Sequence, residues 1–427
     1  MSTDRKINIV LISLVTLNIF EWEFYLILDD LRYQDFLGQW KLCAYALHGI
    51  DPYPLIGAEI PAVEELGIIP AGWGTTPHGL LLGNLFYAGF LAMSMAAFIP
   101  SEPYSIQKDL DAYREINSTL EPAEIYFIVI SVAFVLLTAI VIFQTFKTFS
   151  KRLAWTSALL AIFSYSLLIP LKNTGNASGA IYCMLILICL LHEKYPKLSG
   201  VLLAFAMVKP QLALIFCVTL LLMKQFKILF IAAAIDIAAW LIVSFMTSTG
   251  PIVLLKEFLA TGAGGNISYV GIFTLFTASD HPLAMGLSML AGIIYVCIGH
   301  KLLSECKINV FKFFPACITA TFWCYSFYSE FYILILPVIV CVYVMIESKE
   351  IAIPFLSVLF MTFIIFFWMF FLFNGTISEI IGVIDWKALL SLTSVDEVIV
   401  HAWIVRTLFE VVVILIGIDL CRRLKNI

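Results

Sequence analysis

Leu198 to Met223 reads LSGVLLAFAMVKPQLALIFCVTLLLM, 26 residues in which Lys209 is the single charged side chain. As one helix it would rise about 39 Å at about 1.5 Å per residue, more than the roughly 30 Å hydrocarbon core of a bilayer. An ammonium in the middle of such a run costs about 2.5–3.5 kcal/mol on insertion scales, so it marks a cavity or an ion pair. Pro210 beside it has no N–H and frees a backbone carbonyl. Unbroken apolar sequence of this length reads as membrane helix.

The rest of the chain agrees. Of 427 residues, 62% are hydrophobic and 13% charged, and the mean hydropathy is +0.99. Soluble domains carry about 25% charged residues, so the globular, disordered and collagen-like classes are excluded. A net charge of −5 argues against a nucleic-acid partner. The ten cysteines lie in apolar runs apart from Cys43, with no CxxC and no Cys/His spacing suited to a metal. Neither a disulfide framework, a metal nor a cofactor is expected. Arg5 and Lys6 precede an apolar run that continues to Leu28 without a small-residue cleavage site, which reads as a retained first span.

The fold class expected is an all-α polytopic membrane protein forming a single domain over residues 1–427. Twelve candidate spans follow: Ile7–Leu28, Gly79–Pro100, Glu124–Phe146, Leu153–Leu171, Ala177–Leu191, Leu198–Met223, Ile228–Phe245, Pro282–Gly299, Val310–Tyr325, Phe331–Ile346, Ile351–Phe373 and Ala402–Leu420. Continuous apolar runs exclude a barrel, whose strands alternate. With twelve single crossings, Arg5 and Lys6, Lys224 and Lys227, Lys301, Lys307 and Lys312, and Arg422, Arg423 and Lys425 share the cytoplasmic side. Lys147, Lys151 and Arg152 then fall outside. The rival solution folds Leu198–Met223 into a re-entrant pair bent at Pro210, in which case Gly79–Pro100 cannot cross. The twelve-crossing reading is preferred because it misplaces one cluster alone. It leaves long outer segments at residues 29–78, 247–281 and 374–401, and there is no Walker A or dinucleotide fingerprint.

The first outer segment carries the strongest chemical signal. Asp29-Asp30-Leu31-Arg32-Tyr33-Gln34-Asp35-Phe36 leads into a helix ending near His48, with Phe36, Trp40, Ala44 and Leu47 at helical spacing. This predicts a helix lying at the membrane interface with Trp40 at the headgroup level. Gly49-Ile50-Asp51-Pro52-Tyr53-Pro54 closes it, Gly49 as C-cap and the prolines preventing continuation. Asp51 reads as a turn former. His48, His78 and His281 read as lone solvated loop residues.

An Asp-Phe pair, a helix of this length and then Gly49-Ile50-Asp51-Pro52-Tyr53 resemble the first outer loop of glycosyltransferase family 87, which is similar to the polyprenyl-phosphomannose-dependent mannosyltransferases of the GT-C superfamily. Lys209-Pro210-Gln211 resembles that family's Lys-Pro-Gln segment, and Gly264-Gly265-Asn266-Ile267-Ser268 its Asn-x-Ser stretch. The resemblance covers roughly Asp29 to Pro337. Thr76-Pro77-His78 stands where the family commonly shows Tyr-Pro-Pro. Gly175-Asn176-Ala177-Ser178 stands where it shows Gly-Gln-x-Asn, and Ser329-Glu330-Phe331-Tyr332 where members often place a His or Asp.

The resemblance implies a GT-C-like bundle of about twelve helices in a bacterial inner membrane, working at its outer face. It also implies a polyprenyl-phosphate-linked hexose donor, by analogy mannose, a lipid or glycan acceptor, surrounding membrane lipids, and inversion at the sugar. Such a reaction removes a proton from the attacking hydroxyl, and Asp35 is the general base implied, with Asp29 and Asp30 as rivals and helix capping as the alternative role. The departing phosphate gathers negative charge. Lys209 is the candidate for holding it; snorkelling, or pairing with Asp236 or another acid, is the alternative. Arg32 stands near enough in sequence to meet the phosphate or Asp35, or to remain solvated. Asn266, Ser268, Glu330, Tyr332, Tyr53 and Asn176 are the implied substrate contacts. Two other classes stay open: a non-catalytic lipid-linked sugar flippase or transporter, and an envelope polysaccharide polymerase or ligase.

Overall fold

The computed structural model describes residues 2–28, 34–54, 76–88, 90, 120–164, 167, 171, 175–263, 281–322, 332–364 and 397–427. Every regular element among them is helical. After α1 (Thr3–Leu28) come α2 (Gln34–Leu47) and then two single turns, α3 (Gly79–Leu82) and α4 (Asn84–Tyr87). The bundle continues with α5 (Leu120–Phe146), α6 (Lys151–Ile162), α7 (Ser178–Leu191), α8 (Pro196–Ala206), α9 (Pro210–Leu222) and α10 (Phe226–Met246). It closes with α11 (Pro251–Ala263), α12 (His281–Leu302), a 3-10 turn at Asn309–Phe313, α13 (Phe314–Thr319), α14 (Ile335–Ser348), α15 (Ala352–Leu359) and α16 (Glu397–Asn426).

Within α5 and α10, Pro122–Phe146 and Phe226–Met246 are long and apolar enough to cross a membrane, and shorter apolar helices surround them. Phe230 and Phe245 on α10 are 76% and 87% exposed, a placement that water disfavours and lipid tails accept. At the centre lies α7, buried from Ser178 through Cys189. A helix apolar all round belongs inside. Its 14 residues rise about 21 Å, too short to cross a bilayer core unaided.

Polar contacts gather the helix ends into two levels. Asp4 of α1 accepts from Arg152 at 3.4 Å and from Lys349 at 2.7 Å, and both cations hold its carboxyl below the usual range. Arg423 of α16 donates to Glu350 at 2.5 Å, and Asn309 donates to Glu193 at 2.5 Å. The ring of Phe311 lies 6.0 Å from Phe146 and 5.1 Å from Tyr343. These contacts bring the start of α1, the α5–α6, α7–α8 and α14–α15 turns and the end of α16 to one end, where basic residues concentrate.

Two sequence expectations are corrected here. Leu198–Met223 is two helices, α8 and α9, separated by a turn at Met207-Val208-Lys209. Helices α8 and α10 run side by side in the same direction: a Cβ on Gly200 would meet Ile231 Cβ at 2.7 Å and the Ile228 carbonyl at 3.1 Å, while His78 bridges Met207 and Asp236 further along both. The chain therefore returns through α9 to the level where α8 began, a re-entrant hairpin. Lys147, Lys151 and Arg152 accordingly lie at the same end as Arg5 and Lys6. Twelve single crossings do not describe this arrangement. The described part of Gly79–Pro100 is likewise two short turns, ended by Ala88 at φ 49°.

The closure of α2 is as its sequence predicts. Gly49 has φ +78°, and the amides of Gly49 and Ile50 donate to Ala46 and Tyr45 at 3.1 and 2.9 Å, the paired bonds of a glycine-terminated helix. The setting of α2 differs from expectation. Phe36, Trp40 and Ala44 are fully buried, and α2 packs on α3, α4 and α10, so protein covers the stripe assigned to the lipid interface.

Candidate functional site

Lys209 occupies the apex of the α8–α9 hairpin, 7% exposed. Its Nζ donates to Asn176 Oδ1 and to Ser178 Oγ, the latter at 3.1 Å. Asn176 Oδ1 also accepts from the Ser178 amide at 3.0 Å and its hydroxyl at 2.9 Å, a local turn that fixes both acceptors before the lysine arrives. Both of these acceptors are neutral side chains that orient the ammonium. Pro210 starts α9 and Ser178 starts α7, so the positive dipole ends of two helices lie beside the Lys209 contact. Ammonium and helix ends together make an anion-seeking centre.

The ion pair between Lys209 and Asp236 does not form. Asp236 Oδ1 lies 4.0 Å from His78 Nε2 and has no hydrogen-bond partner. His78 Nε2 is 2.9 Å from the Met207 carbonyl and 2.9 Å from Thr76 Oγ1, and Thr76 Oγ1 accepts from the Gly79 amide at 3.2 Å. Sequence reasoning gave His78 no role, because a single histidine in a polar stretch carries no spacing signal. The departure at Thr76-Pro77-His78 from the resembling motif was the available hint.

A short chain of contacts links the apex to α2. The Ala177 amide, between Asn176 and Ser178, donates to Tyr87 Oη at 3.0 Å. Tyr87 sits 5.8 Å from the ring of Phe36 and stacks on Phe127 at 6.1 Å. Phe36 follows Asp35, which lies in the first turn of α2; the Asp35 side chain is outside the described residues. Arg32, Asn266, Ser268 and Glu330 also lie outside them.

Two of the implied substrate contacts are occupied by packing. Tyr332 is fully buried and donates to the Ala161 carbonyl at 2.9 Å, which commits its hydroxyl to joining the α14 region to α6. Tyr53 is 1% exposed and sits edge-on to Phe258 at 5.9 Å. Its amide donates to Asp51 at 3.1 Å, the turn-forming role expected of Asp51. Beyond that role, Asp51 meets Glu257 of α11, whose carboxyl is held above its usual range by burial and by the neighbouring Asp51 acid.

The model of glycosyltransferase family 87 matches residues 118–304. That segment contains Asn176, Lys209-Pro210-Gln211 and Gly264 to Ser268, and begins after the segment that holds Asp35. No curated protein and no solved structure matches the chain.

Proposed function

We propose, from the match of residues 118–304 to the model of glycosyltransferase family 87, an integral-membrane hexosyltransferase. It uses a polyprenyl-phosphate-linked sugar, mannose by family analogy, and a lipid-linked or envelope glycan acceptor. The observation that carries this reading is the Lys209 ammonium at the meeting point of the α7 and α9 N-termini. A phosphodiester that leaves as a phosphate monoester needs that kind of field where its charge grows, inside a low-dielectric bundle. Lys209 binds the phosphate in the field of the two helix ends, and Asn176 and Ser178 orient the lysine. Asp35, in the first turn of α2, takes the proton from the attacking hydroxyl. The basic end is cytoplasmic, which puts α2 and the hairpin apex toward the outer face.

The test is release of label from a polyprenyl-phosphate-linked radioactive hexose by purified protein. Asp35→Asn is expected to lower transfer by about two orders of magnitude or more, with the protein still inserted and folded. Turnover near the unmodified level in that variant would remove Asp35 from the mechanism. Label that moves across vesicles without leaving its lipid would favour the flippase class instead.

A further inference from the structure

We propose that His78 is a positioning residue that clips the hairpin apex and so couples the first outer segment to Lys209; the functional part of this inference rests on Lys209 as the donor-phosphate ligand. The reasoning starts from the broken helix. Pro210 has no amide hydrogen, and the turn is held by short bonds: Val208 donates to Phe205 at 3.3 Å and Lys209 to Ala206 at 3.2 Å. The Met207 carbonyl faces His78 Nε2 at 2.9 Å. Inside a membrane bundle a carbonyl released by a break needs a donor from elsewhere. A bare Nε2 would set its lone pair against that oxygen, so Nε2 carries the hydrogen, a tautomer assigned from the contact itself.

The bond joins elements distant in sequence. His78 precedes α3, which packs on α2 and on α10, and Met207 is two residues before Lys209. Thr76 Oγ1, bonded to the Gly79 amide at 3.2 Å, lies 2.9 Å from the same imidazole nitrogen. Asp236, 4.0 Å away on α10, gives the imidazole N–H a favourable field. A displacement of the outer segment is thus passed through one hydrogen bond to the backbone that carries the ammonium. His78 touches no reacting atom in this account; it sets where Lys209 stands.

The experiment uses the full chain in lipid nanodiscs with three variants. His78→Leu removes the donor, His78→Asn is polar but one bond too short to reach Met207, and His78→Gln returns an N–H at the required length. Amide hydrogen exchange over residues 206–212 is read beside donor and acceptor kinetics. In the Leu and Asn variants exchange at the turn is expected to rise at least about tenfold, and donor KM at least about tenfold, with kcat and acceptor KM changed by less than about threefold. The Gln variant restores both. Turn exchange unchanged in the Leu and Asn variants, or a Gln variant as impaired as the Asn variant, overturns the clip. Should the Leu variant not fold, the Asn and Gln pair decides the same question. A wild-type protein that releases no sugar would sink the transferase reading, while the exchange measurement still decides whether His78 holds the turn.

Discussion

At the scale of single residues, Lys209 illustrates a charge whose cost points to its use. Its insertion penalty of about 2.5–3.5 kcal/mol is offset in part by Asn176 and Ser178, which keep hydrogen bonds to each other without it. Lys209→Met is therefore expected to melt no lower than the unmodified protein, while donor KM rises by about tenfold or more. A thermal melt beside donor titration checks both halves; lost stability with donor binding unchanged would make Lys209 a structural residue. Lys209 was legible in the sequence because a lone charge in an apolar run has few explanations. His78 was not, since its partner is a carbonyl exposed by a break elsewhere in the chain. Tyr332, a tyrosine beside a motif position, reads in the sequence as a contact, and in the fold its hydroxyl donates to the Ala161 carbonyl.

The Asp51–Glu257 pair adds a pH dependence at the same scale. The carboxyl of Glu257 is held above its ordinary 4.5, so the folded protein binds a proton that the unfolded chain has already released. Stability from this pair is full below pH 4.5 and is lost as pH rises through the raised value. Glu257→Gln is expected to flatten that part of the melting-temperature profile above about pH 4.5, with little change at the acid end. A profile with the same slope in the variant would assign the dependence to other groups.

At the scale of elements, the hairpin shows what hydropathy leaves unsaid. Twenty-six apolar residues measure solubility in lipid and carry no information on where the chain reverses, so one long helix and two short antiparallel ones read alike. Two signals in the sequence did favour reversal: Pro210 in mid-run, and the basic cluster at Lys147 to Arg152, which a single crossing misplaces. The packing of α8 on α10 depends on Gly200, where a Cβ would approach Ile231 Cγ2 to 2.8 Å. Neither the Ile231 side chain nor the Ile228 backbone can swing away. Gly200→Ala is expected to destabilise the protein by about 1–3 kcal/mol through forced separation of the two helices, read as a lower melting temperature. A neutral result would mean that these helices slide past each other readily.

At the scale of the whole molecule, the described helices share one basic end. Cysteines introduced as Thr148→Cys and Glu305→Cys are expected to react with an impermeant maleimide from the same side of sealed vesicles, and Ser248→Cys from the opposite side. Twelve single crossings would put Thr148 with Ser248 instead. The all-helical class and the existence of most helices were legible from composition and apolar periodicity. The placement of α2 under protein was not, because the residues that cover it come from α3, α4 and α10.

The hairpin has an electrical consequence. Its first arm has 11 residues, a rise of about 16 Å from the basic end against a core of about 30 Å. With the proposed orientation, the Lys209 charge would stand roughly halfway through the voltage drop across the membrane. With about 2.3 kcal/mol per elementary charge for each 100 mV of full traversal, an anionic headgroup that travels from the outer surface to this cation moves against an interior-negative potential by about 1 kcal/mol. Respiration, by setting that potential, would then bias how readily the carrier's charged head is drawn in and let go.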